Sequence, residues 1–590
     1  MFESLNVYNL IIPNVPLLLS RVVIAFLTGM VLPLSMFLMH GMIDGIVHGA
    51  NYALLYAVML GVLYFTSIVG KHLDSYMSVC MKNKVDIDFG TSLLLRSKEI
   101  HYHYYEVNQT YDDFERIQKN YKPSIMGLYQ LMLSTIRIAV MLVGIFVYLQ
   151  QVSMWLTITV VITMLPVLAL SVVMSMREYD TFSRYFPFLR KGKYLSGLIT
   201  ERRSINESRL FQYKGFVEKK WEASLRRFHT EQVKANLKPR FIVGFCYMLQ
   251  YGVVALNLYM IYPDVVLGLI SIGAFVAVAQ ALWGLTGGFQ DEIITVLHDG
   301  MQFKKFKKDY NTLFGSIREE SSSNEKPSLS VFKKIEMYDI WFRYGKDKPF
   351  VLKGLNFKLD FGDKIGIVGE NGSGKSTLMM ILFGQLVPEK GSIILDGQMI
   401  TDANRFILRD IASVVFQDFV RYELTLAENI ALSSSICIME KRRMSETIES
   451  FGHGKEFLKS FNDGLDTRLG KKRWDGKDLS GGQWQFVALT RAIFAKKPLL
   501  VLDEPTAALD PMAEVEVYKY VYSSNEIHTL ILITHRLGAI VGADKILLIS
   551  DGVVAEAGTH GELLKLEGLY SQLYAAQKKW YTTISGDTKL

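Results

Sequence analysis

The chain has 590 residues, half of which are hydrophobic, and its mean hydropathy is +0.19. A positive mean is unusual for a water-soluble protein, and the apolar residues cluster in the first half, which indicates a membrane domain. The net charge is +7, and the Lys and Arg residues are concentrated in particular loops. This distribution is typical of a membrane protein whose orientation is set by its basic loops, and it argues against a nucleic-acid partner. The three cysteines follow no metal-ligand or disulfide spacing, so neither kind of site is expected.

Six apolar segments precede residue 290, and each is close to or above the length of about 20 residues that a helix needs to cross a bilayer. They are Leu17–Met39, Ala53–Val69, Ser124–Leu149, Met154–Met174, Phe241–Ile261 and Val265–Leu285. The alternative is a soluble protein with buried core helices, which six such lengths in succession disfavour. The first half is therefore predicted to be an all-α membrane domain with six transmembrane helices.

The distribution of basic residues predicts the orientation of these segments. The first, third and fifth connections contain no Lys or Arg, whereas the second and fourth connections and the residues after the sixth segment are basic. Basic connections stay on the cytoplasmic side of a membrane. Both termini are therefore predicted to be cytoplasmic, in a multi-pass protein of the cell membrane, with a bacterial plasma membrane favoured.

The two basic connections are about 50 and 65 residues long and almost free of Pro and Gly clusters. That composition predicts helices that continue from the membrane far into the cytoplasm. Asn108–Phe114 and Ile205–Gln212 are candidates for short turning segments that contact a cytoplasmic domain. Plain solvated helix is the alternative for both.

The composition changes after residue 316. Residues 317–330 are polar and Ser-rich, which predicts a linker between a membrane domain of residues 1–316 and a second domain of residues 331–582, with a tail of residues 583–590. In the second domain, short apolar strands alternate with helices, and Asp396-Gly397 and Asp551-Gly552 mark hairpin turns. An α/β fold is predicted for it.

The segment Gly369–Thr377 has the spacing of a phosphate-binding loop, with two glycines, then Lys, then Ser or Thr. It is predicted to join a buried strand, Lys364–Val368, to a helix, Ser376–Phe383, whose positive N-terminal dipole favours anions. Lys375 would reach the β- and γ-phosphates, and the Ser376 hydroxyl would hold Mg²⁺. The predicted phosphate-binding residues are Gly369, Asn371, Gly372, Ser373, Gly374, Lys375, Ser376 and Thr377.

A second motif lies further along the chain. Leu499–Asp503 predicts an apolar strand that ends in a carboxylate, and Glu504 follows it. After a phosphate loop, Asp503 is expected to bind Mg²⁺ through water and Glu504 to polarise the attacking water. An ordinary buried strand with an acidic end is the alternative, which the run Leu479–Gln483 (LSGGQ) just upstream disfavours.

With these motifs, the chain resembles a half-transporter of the ATP-binding cassette (ABC) superfamily, of the exporter type, over nearly its whole length. The resemblance implies six membrane helices fused to an α/β domain that binds ATP and Mg²⁺. Leu479–Gln483 matches the family's signature motif, which implies that Ser480, Gly482 and Gln483 bind ATP held by a second copy of the domain. The hydrolysis motifs are intact, so a homodimer is favoured over a heterodimer.

The resemblance also assigns roles to residues outside these motifs. Tyr344 stands where the family stacks an aromatic ring on adenine, and Gln417 stands in the loop that contacts Mg²⁺ and the membrane domain. Asp510 matches the loop that crosses the dimer interface, and His535, after the predicted strand Thr529–Thr534, matches the switch histidine that contacts the γ-phosphate. The implied catalytic residues are Glu504, His535 and Lys375. The implied Mg²⁺ ligands are Ser376, Gln417 and Asp503.

The function implied by the resemblance is ATP-driven export by alternating access. Trp484, in place of a basic residue common in the family, resembles bacterial lantibiotic and peptide exporters, together with Asp475-Gly476 upstream. A peptide or an amphipathic small molecule is therefore the favoured substrate. Lipid flipping or multidrug export is one alternative, and an ATP-gated channel or sensor on the same scaffold is another.

Polar residues within the apolar segments are candidates for a substrate cavity, because polar groups inside a membrane are commonly functional. They are Arg137, Gln250, Asn257 and Gln280. Whether Arg137 binds an acidic group of a substrate or pairs with a neighbouring helix is left open. Arg21 lies nearer a membrane edge, and its charged end is expected to extend to the interface.

Overall fold

The structure is a computed structural model, which describes residues 14–97, 108–152, 154–316, 331–401, 404–433, 440–470 and 476–586. The chain divides into two compact units, with the boundary in sequence between Arg318 and Glu319. The predicted linker of residues 317–330 lies outside the described residues.

The first unit is all α-helical in its described part. Its helices are α1 (Val15–Val47), α2 (Tyr52–Ser97), α3 (Asn108–Gln150), α4 (Met154–Thr200), α5 (Arg202–Leu210), α6 (Lys214–Val266), α7 (Ile272–Thr286) and α8 (Gly288–Ser316). Helix α1 packs against α2, α3 and α7, α3 packs against α8, and α4 runs along α6. The all-α fold predicted for the first half is confirmed.

Four helices of the described chain are long and apolar enough to cross a membrane, namely α1, α2, α3 and α6. They contain four of the six predicted segments, and a fifth, Met154–Met174, lies in α4. Their apolar side chains are largely exposed within the isolated chain; none of the most apolar window of α2 is buried. Such surfaces are stable against lipid, so the chain is a multi-pass membrane protein.

The sixth predicted segment, Val265–Leu285, is not a single helix, and that prediction is wrong. Helix α6 ends at Val266, and α7, which has 15 residues, begins at Ile272. The break has a local cause. Gly268 takes a φ of +74°, which favours glycine, and the Ser271 side chain caps α7 by accepting a backbone hydrogen bond.

In their described part, which leaves out residues 98–107, the basic connections are mainly helical, as predicted. Helices α2, α4 and α6 contain 46, 47 and 53 residues, or about 70–80 Å at 1.5 Å per residue, more than twice the hydrocarbon thickness. Of the two candidate turning segments, Ile205–Gln212 largely coincides with α5, a separate nine-residue helix. Asn108–Phe114 instead forms the first turns of the long helix α3.

Arg21 does not extend to an interface, so that expectation is wrong. Its side chain is buried in α1, and its Nε and Nη2 donate to the two carboxylate oxygens of Asp74 on α2, at 2.7 and 3.3 Å. A guanidinium that is removed from water needs such a bidentate partner. The ion pair therefore joins the first two helices.

The second unit contains two sheets in its described part. Their strands are β1 (Lys334–Phe342), β2 (Leu352–Asp360), β3 (Lys364–Val368), β4 (Lys390–Leu395), β5 (Gln398–Ile400), β6 (Ala412–Val415), β7 (Leu499–Asp503), β8 (Thr529–Ile533), β9 (Lys545–Ser550) and β10 (Val553–Gly558). The smaller sheet is antiparallel, with the order β2-β1-β4-β5. The larger has the order β10-β9-β3-β8-β7-β6 and is parallel except for β10.

The helices of the second unit are α9 (Lys375–Leu382), α10 (Phe406–Ile411), α11 (Leu426–Ala431), α12 (Lys441–Glu449), α13 (Gly454–Lys459), α14 (Gly481–Phe494), α15 (Pro511–Ser523), α16 (His560–Lys565) and α17 (Leu569–Gly586). Apolar clusters cover both faces of the larger sheet: Ile531 and Ile533 belong to one, Leu530 and Leu532 to the other. This is why its strands appear as continuous apolar runs. The predicted α/β fold is confirmed.

Two predicted turns are also observed. Asp396-Gly397 joins β4 to β5, and Asp551-Gly552 joins β9 to β10. All four residues have positive φ, as a tight two-residue hairpin requires. The predicted strands Lys364–Val368 and Leu499–Asp503 match β3 and β7, and the predicted helix after the phosphate loop is shifted by one residue, to α9.

The strand order places the candidate site. Strands β3, β8 and β7 are parallel neighbours, so their carboxyl ends lie side by side. These ends are Val368, which leads into the phosphate loop, Asp503, and Ile533, which precedes His535 by two residues. Ligands of open parallel sheets bind at this edge.

Candidate functional site

The loop between β3 and α9 depends on its glycines. Gly372 and Gly374 have φ values of +83° and +103°. A Cβ atom on Gly369 would lie 2.1 Å from the Ile549 carbonyl oxygen, and one on Gly374 would lie 2.7 Å from Leu352 Cδ2. Side chains are therefore excluded both by the turn and by the close approach of β9 and β2. A loop of this kind directs backbone N–H groups and the N-terminal dipole of α9 at an anion.

Lys375 lies over this loop. Its Nζ donates to the carbonyl oxygens of Gly369 and Glu370, both at 2.8 Å. Burial lowers the pKa of Lys375, and the charges of Glu504 and Asp503 act in the opposite direction. Among the other predicted loop residues, Asn371 and Ser376 are exposed, whereas Ser373 and Thr377 are buried.

Tyr344 lies beside the helix that follows the loop. Its hydroxyl is 3.1 Å from Thr377 Oγ1, and its ring packs edge-on against Phe342, with the ring centroids 5.0 Å apart. The side chain is 41% exposed, so an aromatic surface remains open next to the phosphate loop. The predicted adenine-stacking residue is thus next to the phosphate site.

Glu504 lies at the centre of the predicted catalytic group. Gln417, which follows β6, donates from Nε2 to Glu504 Oε2 at 3.1 Å, and His535 Nδ1 lies 2.8 Å from Glu504 Oε1. The Glu504 side chain is only 15% exposed. The structure therefore brings together a carboxylate, an amide and an imidazole that sequence analysis predicted from three separate motifs.

Asp503 has an unusual protonation equilibrium. Burial, followed by the negative charge of Glu504, raises the pKa of Asp503 to about 6, although the Lys375 ammonium acts to lower it. A buried carboxylate beside a second carboxylate favours its neutral form until a cation arrives. Two adjacent carboxylates at the end of a strand, beside a phosphate loop, are suited to hold a divalent cation. Within the described residues no cluster of three or more His, Cys, Asp or Glu forms a metal site by itself.

The signature residues form a second group. Ser480 and Gln483 cap the start of α14 reciprocally, since Ser480 Oγ accepts from Gln483 N–H at 3.2 Å and Gln483 Oε1 accepts from Ser480 N–H at 3.0 Å. Asp510 caps α15 by accepting from two backbone N–H groups, which lower its pKa. The three residues and Gly482 line one cavity of about 470 Å³. The lining of that cavity includes no residue of the phosphate loop.

Gln485 connects the two groups and was missed by sequence reasoning. Its side chain is buried, its Nε2 donates to the Glu504 carbonyl oxygen at 3.1 Å, and its Oε1 accepts from Ala508 N–H at 2.8 Å. Helix α14 therefore holds the backbone of Glu504, the predicted catalytic residue, and the loop that leads to Asp510. The available signal was a polar residue inside a stretch that is otherwise apolar, Trp484–Leu489.

The four candidate cavity residues of the first unit do not form one cluster through the contacts of the described chain. Arg137 pairs with Glu292 of α8, with 2.6 Å between Nη1 and Oε1. Asn257 donates to Thr159 of α4 at 2.9 Å. Gln280 of α7 donates to Ser35 of α1 at 2.9 Å, and Gln250 is fully buried within α6. Three of them link different helices, and a shared substrate cavity remains a prediction.

Comparison with known proteins decides the family. A model of the ABC transporter family matches residues 352–507, which include the phosphate loop, the signature motif and the Asp503-Glu504 pair. The chain contains an ABC transporter ATP-binding domain. It is a half-transporter, with one membrane domain fused to one ATP-binding domain, and it couples ATP hydrolysis to transport.

Relatives of this ABC transporter match nearly its whole length. The subtilin transport ATP-binding protein SpaT of Bacillus subtilis is 26% identical over 94% of this chain and 91% of its own. The nisin transport ATP-binding protein NisT of Lactococcus lactis is 27% identical over 94% and 93%. An ATP-dependent lipid A-core flippase of Desulfotalea psychrophila is 37% identical, but over 43% of each chain.

A solved structure of a bacterial Atm1-family ABC exporter with ATP bound has the same fold. It superposes with a TM-score of 0.80 and covers 96% of this chain and 99% of its own, at 22% identity. The transporter therefore has the exporter fold, and the ATP-driven export predicted from its sequence is supported.

Proposed function

We propose that this transporter exports an amphipathic peptide across the bacterial plasma membrane. The observation that carries the proposal is the span of the matches: SpaT and NisT match 94% of the chain, so the likeness includes the membrane domain. The first flippases to match cover only 43–59% of it. Because the membrane domain selects the substrate, peptide export is favoured over lipid flipping.

In the proposed reaction, Ser376, Gln417 and Asp503 would hold Mg²⁺, which would supply positive charge to neutralise the phosphates. Tyr344 stacks on adenine. The loop from Gly369 to Thr377, which includes Asn371, Gly372, Ser373 and Gly374, binds the phosphates. Within it, Lys375 contacts the β- and γ-phosphates. Glu504 then accepts a proton from the attacking water. Its carboxylate is oriented for this by its hydrogen bonds to Gln417 and His535.

The proposed active form is a homodimer. Ser480, Gly482, Gln483 and Asp510 line a cavity apart from the phosphate loop of their own chain, so we assign them to nucleotide held by a second copy. Closure of two such domains on ATP makes the membrane helices open towards the outside of the cell. Loss of the γ-phosphate contacts after hydrolysis returns them to the inward-open state. We place the domains at residues 1–316 and 331–582, both termini in the cytoplasm, on the basis of the basic connections.

Transport into inside-out proteoliposomes tests this proposal. We expect ATP-dependent accumulation of nisin, a cationic amphipathic probe, by the purified chain. The matched control is Glu504→Gln, which should bind ATP normally but lose at least a hundredfold in kcat, because it has no general base. Wild-type ATPase rates in that variant would contradict the role of Glu504.

Two further readouts separate the alternatives. ATP-dependent translocation of a fluorescent lipid without peptide accumulation would favour a flippase. An ATP-dependent ionic current without peptide accumulation would favour a channel.

A further inference from the structure

The turn that follows His535 is held by a side chain of the last helix. Gln577 of α17 donates from Nε2 to the His535 carbonyl oxygen at 2.5 Å. Its Oε1 accepts from Leu537 N–H at 2.9 Å. One amide therefore binds the backbone on both sides of Arg536. A side-chain amide supplies a donor and an acceptor at once, which a carboxylate, a hydroxyl or an apolar group of similar length does not do in the same geometry.

His535 depends on this turn because its own side chain is 58% exposed and is not fixed by burial. The contact that the ring makes with Glu504 is a single one, at 2.8 Å. Leu537 begins a 3₁₀-helix, Leu537–Ile540, and its N–H is one of the donors that a helix start leaves without an internal partner. Gln577 satisfies that donor and so holds the start of this helix relative to His535.

Helix α17 is itself firmly anchored, so it can act as a support. The Glu556 carboxylate accepts from the N–H groups of Leu569 and Tyr570 at the helix start, at 2.5 and 3.1 Å. Tyr570 is fully buried, and its hydroxyl lies 2.8 Å from His560 Nδ1. These contacts fix the helix two turns before Gln577.

We propose that Gln577 is a positioning residue for His535, through which the C-terminal helix sets the rate of ATP hydrolysis. The inference rests on the proposed function, since it requires His535 to act in hydrolysis. The side-chain amide of Gln577 contacts the backbone of the turn that carries His535. Its loss is therefore expected to change kcat and not the affinity for ATP.

The test compares Gln577→Met with the wild-type transporter, as the full chain in detergent or proteoliposomes. Met keeps the length, the flexibility and the helix propensity of Gln but removes both hydrogen bonds. We expect kcat to fall about tenfold, because a small displacement of a catalytic group is costly, while KM for ATP changes by less than about twofold. Gln577→Glu retains an acceptor for the Leu537 N–H but has no donor for the His535 carbonyl, so its kcat should fall at least as far as that of Gln577→Met. The matched control is Gln572→Met at an exposed site of the same helix, with kcat within about twofold of wild type.

A double variant shows whether Gln577 acts through His535. In a His535→Ala background, Gln577→Met should add less than about twofold to the loss, because residues that act as a unit are not additive. Independent, multiplicative losses would overturn the positioning role. A kcat within twofold of wild type in both Gln577 variants, with His535→Ala impaired, would overturn this inference alone. Full activity of His535→Ala would instead overturn the role given to His535 in the proposed function.

Discussion

Replacing Gln485 by Met is predicted to destabilise the ATP-binding domain and to slow hydrolysis. The buried Gln485 amide satisfies the Glu504 carbonyl and the Ala508 N–H, and Met fills nearly the same volume without either bond. The substitution therefore leaves two backbone groups without these partners, while packing changes little.

The magnitude follows from those two groups. A partly buried backbone group that loses its partner costs about 1–3 kcal/mol, so the pair should cost about 2–6 kcal/mol. Glu504 also has a φ of +46°, a left-handed conformation that is unfavourable for a residue with a side chain. Its backbone is held there by Gln485 and by the hydrogen bond that its N–H donates to the Ile533 carbonyl, at 2.9 Å. With one of these lost, we expect Glu504 to shift and kcat to fall by at least tenfold.

The assays are thermal unfolding and ATPase turnover of the full-length transporter. For a domain of this size, Tm falls by about 2–4 °C per kcal/mol, so a loss of about 2–6 kcal/mol should lower Tm by roughly 4–24 °C. Gln485→Glu should be at least as damaging, since a carboxylate still accepts from Ala508 N–H but places a buried negative charge against the Glu504 carbonyl oxygen. The exposed Gln572→Met serves as the control. A Gln485→Met protein whose Tm is within 2 °C of wild type and whose kcat is unchanged would refute the reasoning.

Two other predictions concern charged groups. Because burial and Glu504 raise the pKa of Asp503 to about 6, its neutral form is populated as pH falls towards 6, and protons then compete with Mg²⁺. The Mg²⁺ concentration for half-maximal ATPase activity should therefore rise between pH 8 and pH 6, which a Mg²⁺ titration at each pH measures; a constant requirement would contradict the proposed ligand role. In the first unit, Arg137→Ala should lower Tm more than the double variant Arg137→Ala/Glu292→Ala, because a lone, largely buried carboxylate is less stable than none. Thermal unfolding of the three proteins gives the coupling, and strictly additive losses would show that the pair does not interact.

The local motifs were predictable because their chemistry is contiguous. The phosphate loop needs glycines and a lysine at fixed spacing, and the loop geometry satisfies that need within nine residues, Gly369–Thr377. The buried parallel strands were apparent as apolar runs, since helices and loops cover both faces of their sheet. Helix lengths in the basic connections followed from the lack of Pro and Gly clusters.

The boundary of the sixth apolar segment was not predictable from hydropathy. Val265–Leu285 is apolar almost throughout, yet Gly268 and the cap at Ser271 end one helix and begin another. Hydropathy reports the length of an apolar run, whereas a helix boundary depends on backbone conformation and on capping hydrogen bonds. The two therefore disagree wherever a glycine and a capping serine lie within one apolar run.

By itself, the sequence determined the resemblance to ABC transporters, the two-part organisation and the residues predicted to meet phosphate. Only the tertiary structure decided which distant side chains support them: Asp74 for Arg21, Glu292 for Arg137, and Gln485 and Gln577 for the catalytic group. These partners lie tens to hundreds of residues apart in the chain. Their pairing depends on helix rotation and strand register, which arise from packing of the whole fold and leave no local pattern in the sequence.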